Sequence, residues 1–411
     1  MMASGTEVIC RYAGADLEAR YITDRDGMAV IKLKSGYNIG VDPACLTVVA
    51  PPEVVKAGEV TVIKQNPSLP ELSIISTGGT IASCVDHRTG AVTSQFTAED
   101  IMRAIPGLGD IARFRSAVLA NILSENMTPA IWQTLAQSVY TEIKNGAEGI
   151  IVTHGTDTMS HSAAAVSFML DTPVPVVFVG SQRSADRPSS DNVMNTLASA
   201  AAATSDLGEV AVVMHATTND DICAIHRGTR VRKMHTSRRD AFQSFGVAPI
   251  GTVAYPSLDV SLSSNAVRRR PDTEPALLAT LEDKVGLVTF YPGMQADVLH
   301  AFDGYRGLVV NGTGLGHVSS SLVGDLKSLV DAGTTVVMTS QCLNGRVCDR
   351  VYETGRDLLS AGVVEGDAML PEVAYVKLMW VLGQTNDTEE AVRLMTTPLR
   401  GEFTRSSENG F

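Results

Sequence analysis

A chain of 411 residues exceeds what one ordinary core organises and points to two or three domains, and 44% hydrophobic against 19% charged residues excludes a disordered polymer. The formal net charge of −12 argues against a generic nucleic-acid binder, so recognition of RNA would draw basic surface from a second chain. Cys10, Cys45, Cys84, Cys223, Cys342 and Cys348 form no C-x-x-C, no H-E-x-x-H is present, and no apolar run reaches about 18 residues, so a disulfide scaffold, a common metal set and a membrane span are not expected, and a reducing cytoplasm is.

The first 65 residues hold short strand-like runs, E-V-I-C-R-Y, A-R-Y-I-T-D, M-A-V-I-K-L-K and L-T-V-V, separated by D-R-D-G and S-G-Y-N-I-G. Close-spaced strands with Gly and Asp turns predict a small β-barrel over residues 1–66. Its 7 Lys/Arg against 8 Asp/Glu over residues 1–65 give no strong basic field, which suits docking rather than chemistry. A-P-P-E and K-Q-N-P-S-L-P then read as a linker ending near Pro70.

From Glu71 the rhythm becomes strand, polar loop, helix. E-L-S-I-I-S, G-I-I-V-T, V-P-V-V-F-V-G and V-A-V-V-M-H lack strict alternation, as strands buried on both faces of a parallel sheet do. A helix is predicted after Met127, with Thr128 as N-cap, Pro129 in the first turn, and Ile131, Leu135, Val139 and Ile143 on one face. A second, alanine-rich helix begins near Asp191. Residues 246–283 lose the rhythm and read as an interdomain crossing. K-V-G-L-V-T-F-Y, G-L-V-V-N and T-T-V-V-M-T restore it, so α/β domains are expected over 70–265 and 283–411.

Ligands of open parallel sheets sit beyond the carboxyl ends of the strands. The polar residues that follow the predicted strands are therefore the informative ones: T-G-G-T (Thr77–Thr80), H-G-T-D-T (His154–Thr158), G-S-Q-R-S (Gly180–Ser184) and H-A-T-T-N-D-D (His215–Asp221). Hydroxyls, a carboxylate and amides converge on one rim. T-G-G-T lacks the Lys of a phosphate-cradling loop, as does G-T-G-L-G-H-V (Gly312–Val318), which reads as a domain-edge turn. The set points to hydroxyl-based nucleophilic catalysis, in which a weak threonine nucleophile needs a base; a Lys with a lowered or shared proton can serve.

The pair T-G-G-T-I-A and H-G-T-D-T, 76 residues apart from Thr80 to Thr156 and followed by V-R-K-M-H-T, resembles the L-asparaginase family of amidohydrolases. The resemblance implies a two-domain α/β fold. It implies Thr80 as acylated nucleophile, Thr156 and Asp157 as second threonine and carboxylate, and Lys233 as the lysine working with Thr156. It also implies substrate contacts from Gly79, Gly155, Ser124 and Glu125, with Asp157 holding the α-ammonium. Asp157 could also cap a helix starting at Thr158, although the substrate role is preferred, and His154 reads as a structural hydrogen-bonder. One departure is that the loop after T-G-G-T-I-A, S-C-V-D-H-R-T-G-A-V-T-S-Q-F-T, has no Tyr, which the family usually carries there.

The N-terminal barrel, S-G-Y-N-I-G within it, and G-S-Q-R-S-A-D-R-P-S-S-D-N after the third strand extend the resemblance over the whole chain to the D subunits of archaeal glutamyl-tRNA(Gln) amidotransferases. That implies an amidase that frees ammonia from glutamine or asparagine for a GatE-type transferase subunit, which amidates Glu-tRNA(Gln). No cofactor is expected in this chain; ATP and Mg belong to the partner, tRNA is held mainly by it, and a homodimer within a heterotetramer is implied. A stand-alone cytosolic L-asparaginase and a non-catalytic amino-acid sensor are the alternatives; the barrel argues against the first and the intact Thr80, Thr156, Asp157 and Lys233 set against the second. The basic run His226–Arg239, six Lys/Arg in fourteen residues, is left open between a substrate loop with partner contacts and plain surface.

Overall fold

The structure, a computed structural model, describes residues 2–3, 5–12, 14–25, 27–34, 38–51, 65–78, 84–85, 92–93, 98–184, 187 and 189–404. Gly79, Thr80 and most of the loop that follows lie outside the described residues.

The N-terminal segment is a five-stranded antiparallel sheet in the order Asn38–Val41, Met28–Leu33, Ala15–Arg25, Glu7–Tyr12, Leu46–Ala50. Alternation sends Val8, Cys10, Tyr21, Ala29, Ile31 and Val41 to one side, where they form a small core, as the interior of a barrel-like fold requires. The edge strand Leu46–Ala50 leaves both Val48 and Val49 exposed, although they point to opposite faces.

The central sheet has eight strands, ordered Val260–Leu262, Gly251–Ala254, Ile222–Arg227, Val210–His215, Val176–Val179, Gly149–Thr153, Glu71–Ser76, Arg113–Val118. The run from Val210–His215 to Arg113–Val118 is parallel, while Ile222–Arg227, Gly251–Ala254 and Val260–Leu262 add an antiparallel edge. Two features differ from the sequence reading. Arg113–Val118 is a parallel edge strand whose R-F-R-S-A-V lacks the apolar run of the inner strands. Part of 246–283, read as a crossing, contributes two strands of this sheet; they are short, half-buried edge strands with a weak hydrophobic signature.

A second sheet is fully parallel, ordered Val285–Thr289, Gly307–Gly312, Thr335–Ser340, Val364–Glu365. The helix Pro371–Gln384 joins the two α/β units: it packs on Met159–Met169, with the Trp380 and Phe168 rings stacked at 6.2 Å, inside one shared core. Helix Pro129–Lys144 starts as its sequence predicts, with the Thr128 hydroxyl accepting from the Ile131 N–H. Leu135, Val139 and Ile143 are buried, and Trp132 rather than Ile131 completes the face, its indole N–H donating to Ser162 Oγ at 2.8 Å. Among the described residues no helix is long and apolar enough to cross a membrane.

Candidate active site

The parallel strands end together at Ser76, Thr153, Val179 and His215, so the loops after them share one rim. The two threonines of T-G-G-T part company there. Thr77 is 1% exposed, and both its N–H (3.1 Å) and its hydroxyl (3.0 Å) donate to the Thr153 carbonyl. It is a strand-end lock, with no hydroxyl to spare. Gly78 follows at φ +116°, and an added Cβ would sit 2.4 Å from the Ile122 carbonyl oxygen, so this turn demands glycine twice over. The Ile122 N–H donates to Thr77 O, which brings the segment before Ser124 onto the turn.

Ser124 and Glu125 form a short 3-10 turn, with Ser124 buried and Glu125 exposed. The turn is stapled to H-G-T-D-T: the Thr158 hydroxyl donates to the Ser124 carbonyl at 2.6 Å. Gly155 lies so close that an added Cβ would stand 2.8 Å from Ser124 Cβ. Two segments that the sequence assigns to substrate therefore form one continuous wall.

Lys233 reaches this wall from another direction. Gly228 passes the helix Met159–Met169 beside Ala163 and Ser167, and the strand Val231–Lys233, paired with Phe242–Ser244, runs back to the rim. There Lys233 Nζ donates to Thr156 Oγ1 at 2.9 Å and to Asp157 Oδ1 at 2.8 Å. The Lys233 side chain is 12% exposed and the Asp157 carboxylate 68% exposed, so the lysine is held from within while the carboxylate faces outward. Asp157 does not cap the adjoining helix, because its carboxylate is turned to Lys233; Thr158 occupies the N-cap position without a side-chain capping bond, its hydroxyl being donated to the Ser124 carbonyl. His154 is buried. Its Nδ1–H donates to Gly155 O at 2.7 Å, and burial above all pulls its pKa down to about 4, so it is a neutral structural group at neutral pH.

Asp191 and Asn195 are organisers that the sequence reading left unassigned. Asp191, 0% exposed, accepts from Ser181 Oγ, the N–H groups of Gln182 and Arg183, and Asn195 Nδ2. It thereby closes the G-S-Q-R-S loop on its own chain. Asn195 Nδ2 also donates to Gly180 O, and its Oδ1 accepts from the His215 backbone N–H and ring Nδ1. The signal was an acid and an amide four residues apart at the start of an otherwise alanine-rich helix, where both share one face. The basic run is not a plain solvated face: Arg230 is 1% exposed, Arg227 is paired with Glu209, Arg239 with Asp220, and Lys233 is at the rim. Gly312–Val318 folds as a tight turn in which Thr313 and His317 bridge, as its sequence predicts.

The model of the asparaginase N-terminal domain matches residues 71–267, and that of the glutaminase/asparaginase C-terminal domain matches residues 284–395. The D subunit of the glutamyl-tRNA(Gln) amidotransferase of Methanosarcina acetivorans is 52% identical over 96% of each chain, and its counterpart from Halobacterium salinarum is 55% identical over 90% of each. The chain belongs to the family of glutamyl-tRNA(Gln) amidotransferase D subunits, within the asparaginases. Among solved structures, the thermostable L-asparaginase from Thermococcus kodakarensis matches with a TM-score of 0.73 and 32% identity, covering 82% of this chain and 100% of that one. L-asparaginase I from Vibrio cholerae matches with a TM-score of 0.70 and 28% identity, again over 82% and 100%. The amidotransferase relatives match over nearly the full chain, whereas the asparaginases leave almost a fifth of it uncovered.

Proposed function

We propose that this chain is the amidase component of a tRNA-dependent amidotransferase, releasing ammonia from glutamine or asparagine through a threonyl acyl-enzyme. The observation that carries the reading is the double contact of Lys233 Nζ with Thr156 Oγ1 and Asp157 Oδ1, on the loop neighbouring the T-G-G-T strand. With the Thr77 hydroxyl committed to Thr153, Thr80 is the T-G-G-T hydroxyl assigned to attack.

In the proposed reaction Thr80 Oγ bonds to the side-chain carboxamide carbon. Its proton passes to the Thr156–Lys233 pair, with the 2.9 Å contact reversed so that the Thr156 hydroxyl donates to neutral Nζ. The proton is delivered to the amide nitrogen as the C–N bond breaks, and ammonia leaves. Water then attacks the ester carbon, its proton returns to Thr80 Oγ, and glutamate or aspartate is released. Backbone N–H groups of the Gly78–Gly79 turn and of Thr156 are the oxyanion donors in this scheme. The outward-facing Asp157 holds the substrate's α-ammonium; Gly155, Ser124 and Glu125 form the wall against its α-carboxylate and amine.

A GatE-type partner, binding ATP and Mg, would amidate Glu-tRNA(Gln) with the ammonia, and this chain itself needs no cofactor for the hydrolysis. The arrangement proposed is a homodimer of this chain within a heterotetramer. The full-length similarity to amidotransferase D subunits, against the partial cover by asparaginases, favours this reading over an independent asparaginase. Measuring ammonia release from Gln and Asn, with and without a transferase subunit carrying Glu-tRNA(Gln), tests it. Release that ignores the partner and its tRNA would instead assign a stand-alone asparaginase.

A further inference from the structure

At the opposite end of the helix Met159–Met169 from Thr156 lies a cavity of about 240 Å³, room for several waters at the roughly 30 Å³ each occupies in the liquid. Three arginines line it, from three separate parts of the chain: Arg227 at the end of the strand Ile222–Arg227, Arg270 in the crossing segment, and Arg400 near the C-terminal end of the described residues. Two carboxylates also line it, and both are already engaged. Glu209 takes a bidentate pair from Arg227 (2.7 and 3.1 Å) and the Val267 N–H, and Asp171 is bonded by Arg270 at 2.8 Å. Three guanidinium charges against two carboxylates leave the lining one positive charge in excess.

The guanidinium donors are not used up. Each carries five N–H groups and accepts none. The Arg400 guanidinium donates Nε–H to Ser167 O and Nη1–H to Leu399 O, both backbone carbonyls, so among the described residues no carboxylate is bonded to the guanidinium itself; Glu402 accepts only from the Arg400 backbone N–H. Among the described residues its Nη2, Arg227 Nη1 and Arg270 Nη1 have no hydrogen-bond partner, and Arg270 Nε is buried without one. Arg227 Nη1 lies against the turn after Arg400: a Cβ added at Gly401 would be 2.7 Å from it. The Asp171 carboxyl is held below its usual range, first by its bond to Arg270 and, among lesser causes, by the nearby Arg400 charge. The donors of all three arginines thus border one small, half-enclosed space.

We propose that this cavity is a binding site for a small polyvalent oxyanion, a phosphate or polycarboxylate group, which the forked donors of Arg227, Arg270 and Arg400 are suited to hold. The site is remote from the amidase rim but mechanically joined to it. Arg227 begins the segment that carries Lys233 back along Met159–Met169, and Arg400 bonds the last turn of that helix. An occupant would clasp the crossing segment and the C-terminal segment to the central sheet.

The test is thermal unfolding of the full chain titrated with inorganic phosphate, ionic strength balanced with chloride, and citrate and ATP as separate arms. A ligand bound only by the folded state gives a saturable rise in midpoint. Wild type is expected to show this, and Arg400→Met to require about tenfold more anion for the same rise, the loss of one charge-assisted contact. Saturation by citrate as well as phosphate assigns a general oxyanion site; saturation by phosphate and ATP alone assigns phosphoryl groups. Where Arg400→Met does not fold, Arg270→Gln and ³¹P line broadening give the same comparison. No saturable response in wild type, or an equal response in the variant, overturns the proposal.

Discussion

Lys233 Nζ bonds both the hydroxyl of Thr156 and the carboxylate of its neighbour Asp157, at 2.9 and 2.8 Å, from a side chain only 12% exposed. One lysine thereby fixes the positions of the Thr156 hydroxyl and the Asp157 carboxylate. Lys233→Ala is expected to lower ammonia release by the roughly 10²–10⁴-fold typical of a general base. Free ammonium should restore Gln-tRNA formation in the assembled enzyme, because the transfer step would sit in the partner. Failure of ammonium rescue would give Lys233 a role beyond the amidase.

Thr77 and Thr80 offer a paired test. Thr80→Val removes one hydroxyl at nearly constant volume and should abolish ammonia release with the midpoint of unfolding little changed. Thr77→Val removes one of the two donors to Thr153 O at a 1% exposed site and leaves the backbone N–H, so it should cost about 1 kcal/mol of stability and leave activity measurable. Activity in the Thr80 variant, or its loss in a folded Thr77 variant, would reverse the assignment.

The inner strands and the rim motifs were legible in the sequence because each is local: an apolar run names a buried strand, and the polar residues after it name the rim. The resemblance added what spacing alone does not, that Lys233 belongs with Thr156 although 77 residues separate them. Three things were not legible. Arg113–Val118 is an edge strand, with too little burial for an apolar signature. The closure of the Ser181–Arg183 loop by Asp191 is a folded contact that no period encodes. The arginine cavity gathers residues from distant parts of the chain.

Gly155 is placed against Ser124 by geometry rather than by backbone conformation, since the demand is a close approach of 2.8 Å to Ser124 Cβ. Gly155→Ala should push the two segments of this wall apart and lower kcat/KM by roughly 10²-fold, the scale of a 1 Å misplacement. Ser124→Gly in the same chain removes the clashing atoms and should recover part of the loss. If the double variant is no better than the single one, crowding is not the cause.

Asp349 is 0% exposed, and neither carboxylate oxygen has a hydrogen-bond partner among the described residues. Burial, and secondly the charge of Glu365, push its pKa up to about 7. The unfolded chain titrates it at about 3.9. Between those values the folded state holds a proton that the unfolded state has released, so stability falls as pH rises from about 4 to about 7. Asp349→Asn removes this penalty. The variant should be more stable than wild type at pH 8, with the difference shrinking toward pH 5; unfolding midpoints across that range decide it. A difference independent of pH would show that Asp349 does not titrate there.

Gln65 decides where the N-terminal segment can be cut. Its side-chain amide pairs with Phe114 in both directions, Nε2–H donating to the Phe114 carbonyl at 2.9 Å and Oε1 accepting from the Phe114 N–H. It acts as a one-residue extension of the sheet beside the edge strand Arg113–Val118, and Pro70 O accepts from the Arg113 N–H just beyond. A cut at Ser68 would strip this partner from Phe114, whereas removal of residues 1–64 keeps it. The shorter deletion should therefore leave a folded amidase whose unfolding midpoint exceeds that of the Ser68 truncation. The five-stranded sheet has its own core, so losing it leaves the amidase core intact. What should change is coupling: glutamine hydrolysed per Gln-tRNA formed should rise, and stimulation of ammonia release by tRNA should fall. An unchanged ratio together with unchanged stimulation would make the segment dispensable for assembly and favour an amidase that works alone.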